Sequence, residues 1–254
     1  MITPIKDETR ISGCSNALVD IIPDGYVVDS YMFYDGKLEF DLTDAKIFVN
    51  AHTISKPVYL FWECLREDPA RLHEITLAIA EKFSSESEFT VLQEIWHLNR
   101  NPFMVASTFF LLNRCSRDGL ISSGDLEPSR YNPLALSRLA KFKFPDNFHL
   151  NHYLQDPIDS INKTTSADCI LIPAGKFNYN LFEYGKNLAI EETPLNHRAL
   201  SAAMKNKDKK IVAVYNYHAA LKKAFNSCNL IFVNEHGKTT SREELAKEVI
   251  IANF

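Results

Sequence analysis

The chain has few glycines, widely scattered cysteines and no long apolar run, and each shortage removes a class of function. Eight glycines in 254 residues leave no glycine-rich loop of the kind that cradles phosphates. The five cysteines (Cys14, Cys64, Cys115, Cys169 and Cys228) are odd in number and form no Cys-x-x-Cys pair. They read as reduced thiols in a cytosol-like compartment rather than as disulfides or zinc ligands. His149-x-x-His152 has no acidic or cysteine partner nearby, so no metal is expected. No apolar stretch approaches the ~20 residues of a membrane span. Residues 1–10 carry Lys6, Asp7, Glu8 and Arg10 where a signal peptide would be apolar. No membrane association is expected. No Ser-His-Asp or Cys-His arrangement and no internal repeat is discernible.

What is present is an ordinary globular composition, 46% apolar and 24% charged. The net charge of −4 is a poor footprint for a dedicated nucleic-acid binder. It hides an asymmetry. Between His97 and Phe144 lie seven basic residues (Arg100, Arg114, Arg117, Arg130, Arg138, Lys141 and Lys143) against three acids, so this segment is +4 and the remainder −8. A basic patch on an acidic body can touch phosphates, and a solvated helix face explains the same charges equally well.

Hydrophobic periodicity divides the chain. Residues 16–22 have helical spacing and stop at the turn signal Pro23-Asp24-Gly25. Residues 26–34 and 45–50 read as strands, and 56–83 as two helices whose starts suit Pro57 and Asp68-Pro69. Residues 90–112 continue helical with a break at Asn101-Pro102, and 113–150 look loop-rich. Strands are predicted at 169–172, 210–217, 229–233 and 247–253, with helices at 196–205 and 219–225 between them. Strands and helices alternate at both ends of the chain around a helical middle. The pattern predicts an α/β core from 1–55 and 151–254, a mainly helical insert at 56–150, and an antiparallel hairpin at one sheet edge.

Six segments in order resemble the Dam/DpnM class of DNA adenine methyltransferases across nearly the whole chain. Ile11-Ser-Gly-Cys-Ser-Asn-Ala-Leu-Val-Asp-Ile-Ile-Pro23 is similar to the family's opening Trp-Ala-Gly-Gly-Lys helix ending in Ile-Pro. Asp29 to Phe40 sits where the family has Glu-Pro-Phe-x-Gly-Gly-Gly-x-x-x-Phe, and Val49 to Thr53 where it has Ile-Asn-Asp-x-Asn. Phe109-Phe110-Leu-Leu-Asn113-Arg114-Cys-Ser-Arg117-Asp-Gly119-Leu120 resembles Phe-Phe-x-Leu-Asn-Arg-x-x-x-x-Gly-Leu. Arg130-Tyr131-Asn132-Pro133 resembles Gly-x-Tyr-Lys-Asn-Pro, and Glu248 to Asn253 the closing Glu-Leu-x-Ile-x-Asn strand. The resemblance implies a Rossmann-like S-adenosylmethionine methyltransferase sheet, with the insert as the DNA target-recognition region.

The chemistry that the resemblance implies is eroded. Where the family places Asp-Pro-Pro-Tyr, this chain has Ile172-Pro173-Ala174-Gly175, which offers no acceptor side chain for an adenine amino group and no ring for stacking. The glycines that let cofactor approach the first strand become Phe33, Tyr34 and Asp35, and only Gly36 remains. The family's cofactor lysine falls on Ser15 beside Gly13, and its ribose-binding acid on Ala51. What survives for cofactor is Gly13, Asp29, Gly36 and Asn50. For nucleic acid the resemblance points to Asn113, Arg114, Arg117, Arg130, Tyr131 and Asn132, residues that capping and pairing within the insert account for equally well.

The expected function is that of a catalytically inactive methyltransferase-like protein, without cofactor, acting as a binding, structural or partner subunit. The setting is cytoplasmic, in a bacterium or an infected cell, with a phage, viral-particle or restriction-modification role. A protein partner or assembly is favoured by the acidic body, and DNA is permitted by the basic insert. The alternative is an active, divergent enzyme that binds S-adenosylmethionine and rebuilds its site from Asp29, Asn50, Asp168 and Tyr179. A third reading has the altered pocket accept another small molecule. Phe33 and Tyr34 are expected as core packing, His197 as a partly buried helix residue, and Phe177 or Tyr179 as a displaced ring. Asn216 and the run Lys205, Lys207, Lys209 and Lys210 are expected as loop solvation.

Overall fold

The computed structural model describes residues 3–5, 13–82, 85–116, 121, 133–152, 157–163, 166–177 and 195–254. Its centre is an eight-stranded sheet. The strands are β1 (Val27–Tyr31), β2 (Phe48–Thr53), β3 (Phe148–His152), β4 (Cys169–Gly175), β5 (Ile211–Asn216), β6 (Asn229–Asn234), β7 (Thr239–Thr240) and β8 (Ala246–Ala252). Their order is β3-β2-β1-β4-β5-β8-β6-β7. The first five are parallel, and β8 runs antiparallel between β5 and β6. The chain winds outward from β1 to β3, then returns across β1 to β4. That reversal makes the carboxyl edge between β1 and β4 the natural crevice of the fold.

The expected Rossmann-like methyltransferase sheet is present, and the antiparallel feature differs in one detail. β8 lies inside the sheet, and the edge is formed by the β6–β7 hairpin. Burying the most apolar C-terminal strand, Ala246 to Ala252, leaves the short polar β7 at the solvent side, which blunts the edge.

Side-chain alternation splits the core into two layers. Val28, Val49, Leu171, Val212 and Ile250 face α1 (Ser15–Val19), α2 (Lys37–Asp44) and α3 (Lys56–Glu67). The same cluster continues through α4 (Pro69–Lys82), α5 (Glu86–Ile95), α6 (Pro102–Cys115) and α7 (Pro133–Lys141). Tyr31, Ile170, Ile172, Ala213, Tyr215 and Ile251 face the other way, toward α8 (Pro157–Asn162), α9 (His197–Ala203) and α10 (Leu221–Ala224). β4 is buried over its whole length because both faces are covered.

The segment 113–150, expected as loop, contains α7 and the edge strand β3 among its described residues. β3 alternates buried Phe148 and Leu150 with exposed His149 and Asn151, and Asn147 Nδ2 donates to Ile47 O at 2.7 Å to set its start. Residues 148–150 therefore belong to the sheet, and helices α3 to α7 occupy the interval between β2 and β3.

The lysine run is also tied down more than expected. Lys209 Nζ donates to Ile161 O at 2.6 Å, Lys210 Nζ donates to Tyr26 Oη at 2.6 Å, and Lys207 Nζ meets the Asn253 carbonyl. Loop solvation holds only for part of that cluster.

Candidate functional site at the carboxyl edge of the sheet

β1 ends in Tyr31, and Met32 follows with a positive φ of 68°, an uncommon conformation for a non-glycine residue. Phe33 N still donates to His52 O at 3.0 Å, so the pairing with β2 continues one step beyond β1. The turn then throws the Phe33 ring inward. It meets Phe40, Trp62 and Phe148 at centroid distances of 6.3, 5.6 and 5.5 Å and is wholly buried. Trp62 Nε1 donates to Tyr34 O at 2.8 Å, which locks the loop to α3. Phe33 and Tyr34 are thus core packing, as expected from the sequence.

Gly36 has a φ of +74° and caps the start of α2. A Cβ there would lie 2.5 Å from Phe40 Cε2 and 3.0 Å from Phe33 Cε2. Gly36 is therefore required by aromatic packing against its own Cα, whatever else approaches the loop. Gly13 lies elsewhere, near β8, where a Cβ would come 3.0 Å from Glu248 Oε2.

Asp29 and Asn50 are brought together. Asn50 Nδ2 donates to Asp29 Oδ1 at 3.1 Å, and His52 Nε2 lies 3.7 Å from the same oxygen. The Tyr31 ring stacks on His52 at 4.6 Å. Burial, with Asp29's charge behind it, pushes the Tyr31 phenol up to about 12. These four side chains form a polar ledge along β1 and β2. Behind the sheet Ser30 Oγ donates to Glu39 Oε1 at 2.7 Å, a buried pair that periodicity hides because Glu39 sits in an otherwise ordinary helix start.

On the other side of the crevice, Ile172 and Ala174 are fully buried, and the β4–β5 register shifts between Pro173 and Gly175. Asp168 stands at the opposite end of β4, where its Oδ2 accepts from Val27 N at 2.9 Å. It lies seven strand residues from Gly175, roughly 20 Å away, so it supplies no acceptor at the carboxyl edge. Tyr179 lies outside the described residues. Phe177 turns against His197 and His218, with centroids at 4.8 and 5.4 Å. His197 Nδ1 and Tyr215 Oη are 2.9 Å apart, and burial holds the imidazole below its ordinary pKa and the phenol above its own. His197 is the partly buried, hydrogen-bonded helix residue that was expected.

The residues expected at nucleic acid divide. Asn113 is fully buried in α6, its Nδ2 3.4 Å from Tyr34 Oη, so its amide is not presented to solvent. Arg114 follows it on the same helix and is half-buried. Arg117, Arg130, Tyr131 and Asn132 lie outside the described residues. Among the described residues no group of three metal-ligating side chains forms, and no helix is long and apolar enough to cross a membrane.

Sequence reasoning missed Glu248. It is buried on β8 beneath Gly13 and Cys14. Burial pushes its pKa up to about 7, which the nearby Cys14 and Gly13 offset only in part. Gly237 closes the same corner, since a Cβ there would lie 2.4 Å from Gly13 O. A glutamate in a strand of Val, Ile and Ala was the available signal.

This strand order, with an antiparallel strand inserted beside β5, defines a methyltransferase-like Rossmann fold. Scanned against protein families the sequence matches none, and no curated protein matches it. Solved structures do resemble it. A TehB-like SAM-dependent methyltransferase from Corynebacterium glutamicum aligns over 95% of this chain and 86% of its own, at 7% identity and a TM-score of 0.36. The tRNA methyltransferase TrmK of B. subtilis aligns over 96% and 66%, at 10% identity and 0.38. A precorrin-6y C5,15-methyltransferase from Geobacter metallireducens aligns over 94% and 84%, at 10% identity and 0.33.

Proposed function

We propose that this chain is a methyltransferase-fold protein of DNA adenine methyltransferase ancestry that works without methyl transfer, as a binding or partner subunit. The observation that carries this reading is the aromatic filling of the loop after β1. Phe33 and Tyr34 stand where the family has glycines, Phe33 is packed into the aromatic core, and Trp62 bonds the loop's carbonyl. The residues at that loop do not fit S-adenosylmethionine in the family's pose. The end of β4 supports the same reading, with Ile172 and Ala174 buried and Asp168 held at the strand's opposite end. The acidic body favours a protein partner, and the basic stretch from His97 to Phe144 is the part suited to DNA phosphates.

Calorimetric titration of the purified protein with S-adenosylmethionine tests the first half. No binding at millimolar cofactor is expected, and micromolar affinity or methyl transfer to adenine-containing DNA overturns the proposal. For the second half, DNA affinity is measured against salt for Arg114→Ala and Arg117→Ala. Unchanged affinity in both variants removes DNA from the reading and leaves the protein partner.

A further inference from the structure

A large cavity lies among the helices. α4, α5, α6 and the tight turn Trp96–Leu98 wall a cleft of about 850 Å3, within the ~300–1,000 Å3 range of small-molecule sites. Its walls are apolar: Ile75, Ile79, Leu92, Ile95 and Met104. Its charged liners are Lys82 and Arg100. A second cavity of about 370 Å3 adjoins it, shares Trp96, Asn99 and Arg100, and adds Lys56 and His97. Among the described residues no acidic side chain lines either one, although the chain as a whole is acidic.

The residues common to both cavities include a second, independent mark. Trp96 is only 3% exposed, and its Nε1–H has no acceptor. A buried indole N–H ordinarily finds one. Ile95 and Leu98, meanwhile, are 43% and 68% exposed while lining the larger cleft. An apolar trough with a cationic, donor-rich end is complementary to an amphiphile of opposite head charge.

We propose that the two cavities form one binding site for an amphipathic anion, with its apolar body along α4 and α6 and its carboxylate or phosphate head at Arg100. Lys56 and Pro57 follow β2 at the carboxyl edge of the sheet, but none of the site's residues belongs to the loop after β1 or to the end of β4. The outcome here is therefore independent of whether S-adenosylmethionine binds.

The test is calorimetry on the full chain with dodecanoate and dodecyl phosphate, both below their micelle concentrations, against dodecanol and acetate. Saturable one-to-one binding of at least one anion is expected, with dodecanol about tenfold or more weaker and acetate undetectable. The preferred head group separates a free carboxylate from a phosphate source. Arg100 is exposed, so Arg100→Gln leaves the melting temperature unchanged and weakens the anion about tenfold. Met104→Trp fills the trough and abolishes binding while the chain still melts cooperatively. Equal affinity in the wild type and both variants would mean adventitious adsorption and overturn the site. So would binding only to anionic vesicles, or displacement of dodecanoate by an acidic amphipathic peptide at lower concentration, since each assigns the cleft to another class of partner.

Discussion

Glu248 shows how one buried carboxyl ties stability to pH. Its folded pKa of about 7 stands above its ordinary 4.5, so the folded state holds the proton more tightly than the unfolded one. Below the ordinary value both states are protonated and the full stability is present. As pH rises the unfolded chain ionises first, and stability falls until the folded carboxyl ionises near 7. At about 1.4 kcal/mol per pH unit the loss amounts to roughly 3 kcal/mol. Denaturant melts of Glu248→Gln from pH 4 to 8 are expected to lack this slope; an unaltered slope would assign it to other groups. Phe33 belongs to the same scale. Phe33→Ala is expected to cost about 3–5 kcal/mol by opening a cavity among Phe40, Trp62 and Phe148. Gly36→Ala should cost at least about 1 kcal/mol through its positive φ and the Phe40 contact.

The elements are joined by a few side chains whose positions the local pattern does not reveal. Asn253, just past β8, has an Oδ1 that accepts from Ile211 N at 2.8 Å. Its Nδ2 donates to Asn206 O and Lys209 O at 2.7 and 2.8 Å. One amide thus stitches the last strand to the start of β5 and to the turn after α9. Asn253→Ala is expected to lose roughly 2–3 kcal/mol, because it strands a buried N–H in the ladder. Asn253→Asp keeps the acceptor and should fall between the two in a chemical melt. The helix starts were more legible. Pro57 and Asp68-Pro69 mark the starts of α3 and α4 and Asn101-Pro102 the break before α6, whereas the box of Ser85 with Glu88 that caps α5 went unread. β3 was illegible because Pro145 and an Asn/His-rich strand look like loop until β2 is placed beside them.

At the scale of the whole molecule, burial governs reactivity. Cys14, Cys64, Cys115 and Cys169 are buried and Cys228 is half-buried, with no disulfide. Burial pushes the Cys64 and Cys169 thiols up to about 11 and about 12. A thiol-exchange reagent at pH 8 is therefore expected to modify Cys228 quickly and the other four only after unfolding. Fast labelling of Cys64 or Cys169 in the native protein would contradict the packing.

Runs of Val, Ile and Tyr in β1, β5 and β8, with helical segments between the strands, were enough to determine an α/β sheet with an antiparallel pair near its C-terminal end. These are local signals, carried within a few residues of one another. The meeting of Phe33, Phe40, Trp62 and Phe148 was decided only by the tertiary structure, as was the pairing of Asp29 with Asn50 across β1 and β2. Each depends on which strand lies beside which, and strand order is set by burying both faces of the sheet at once.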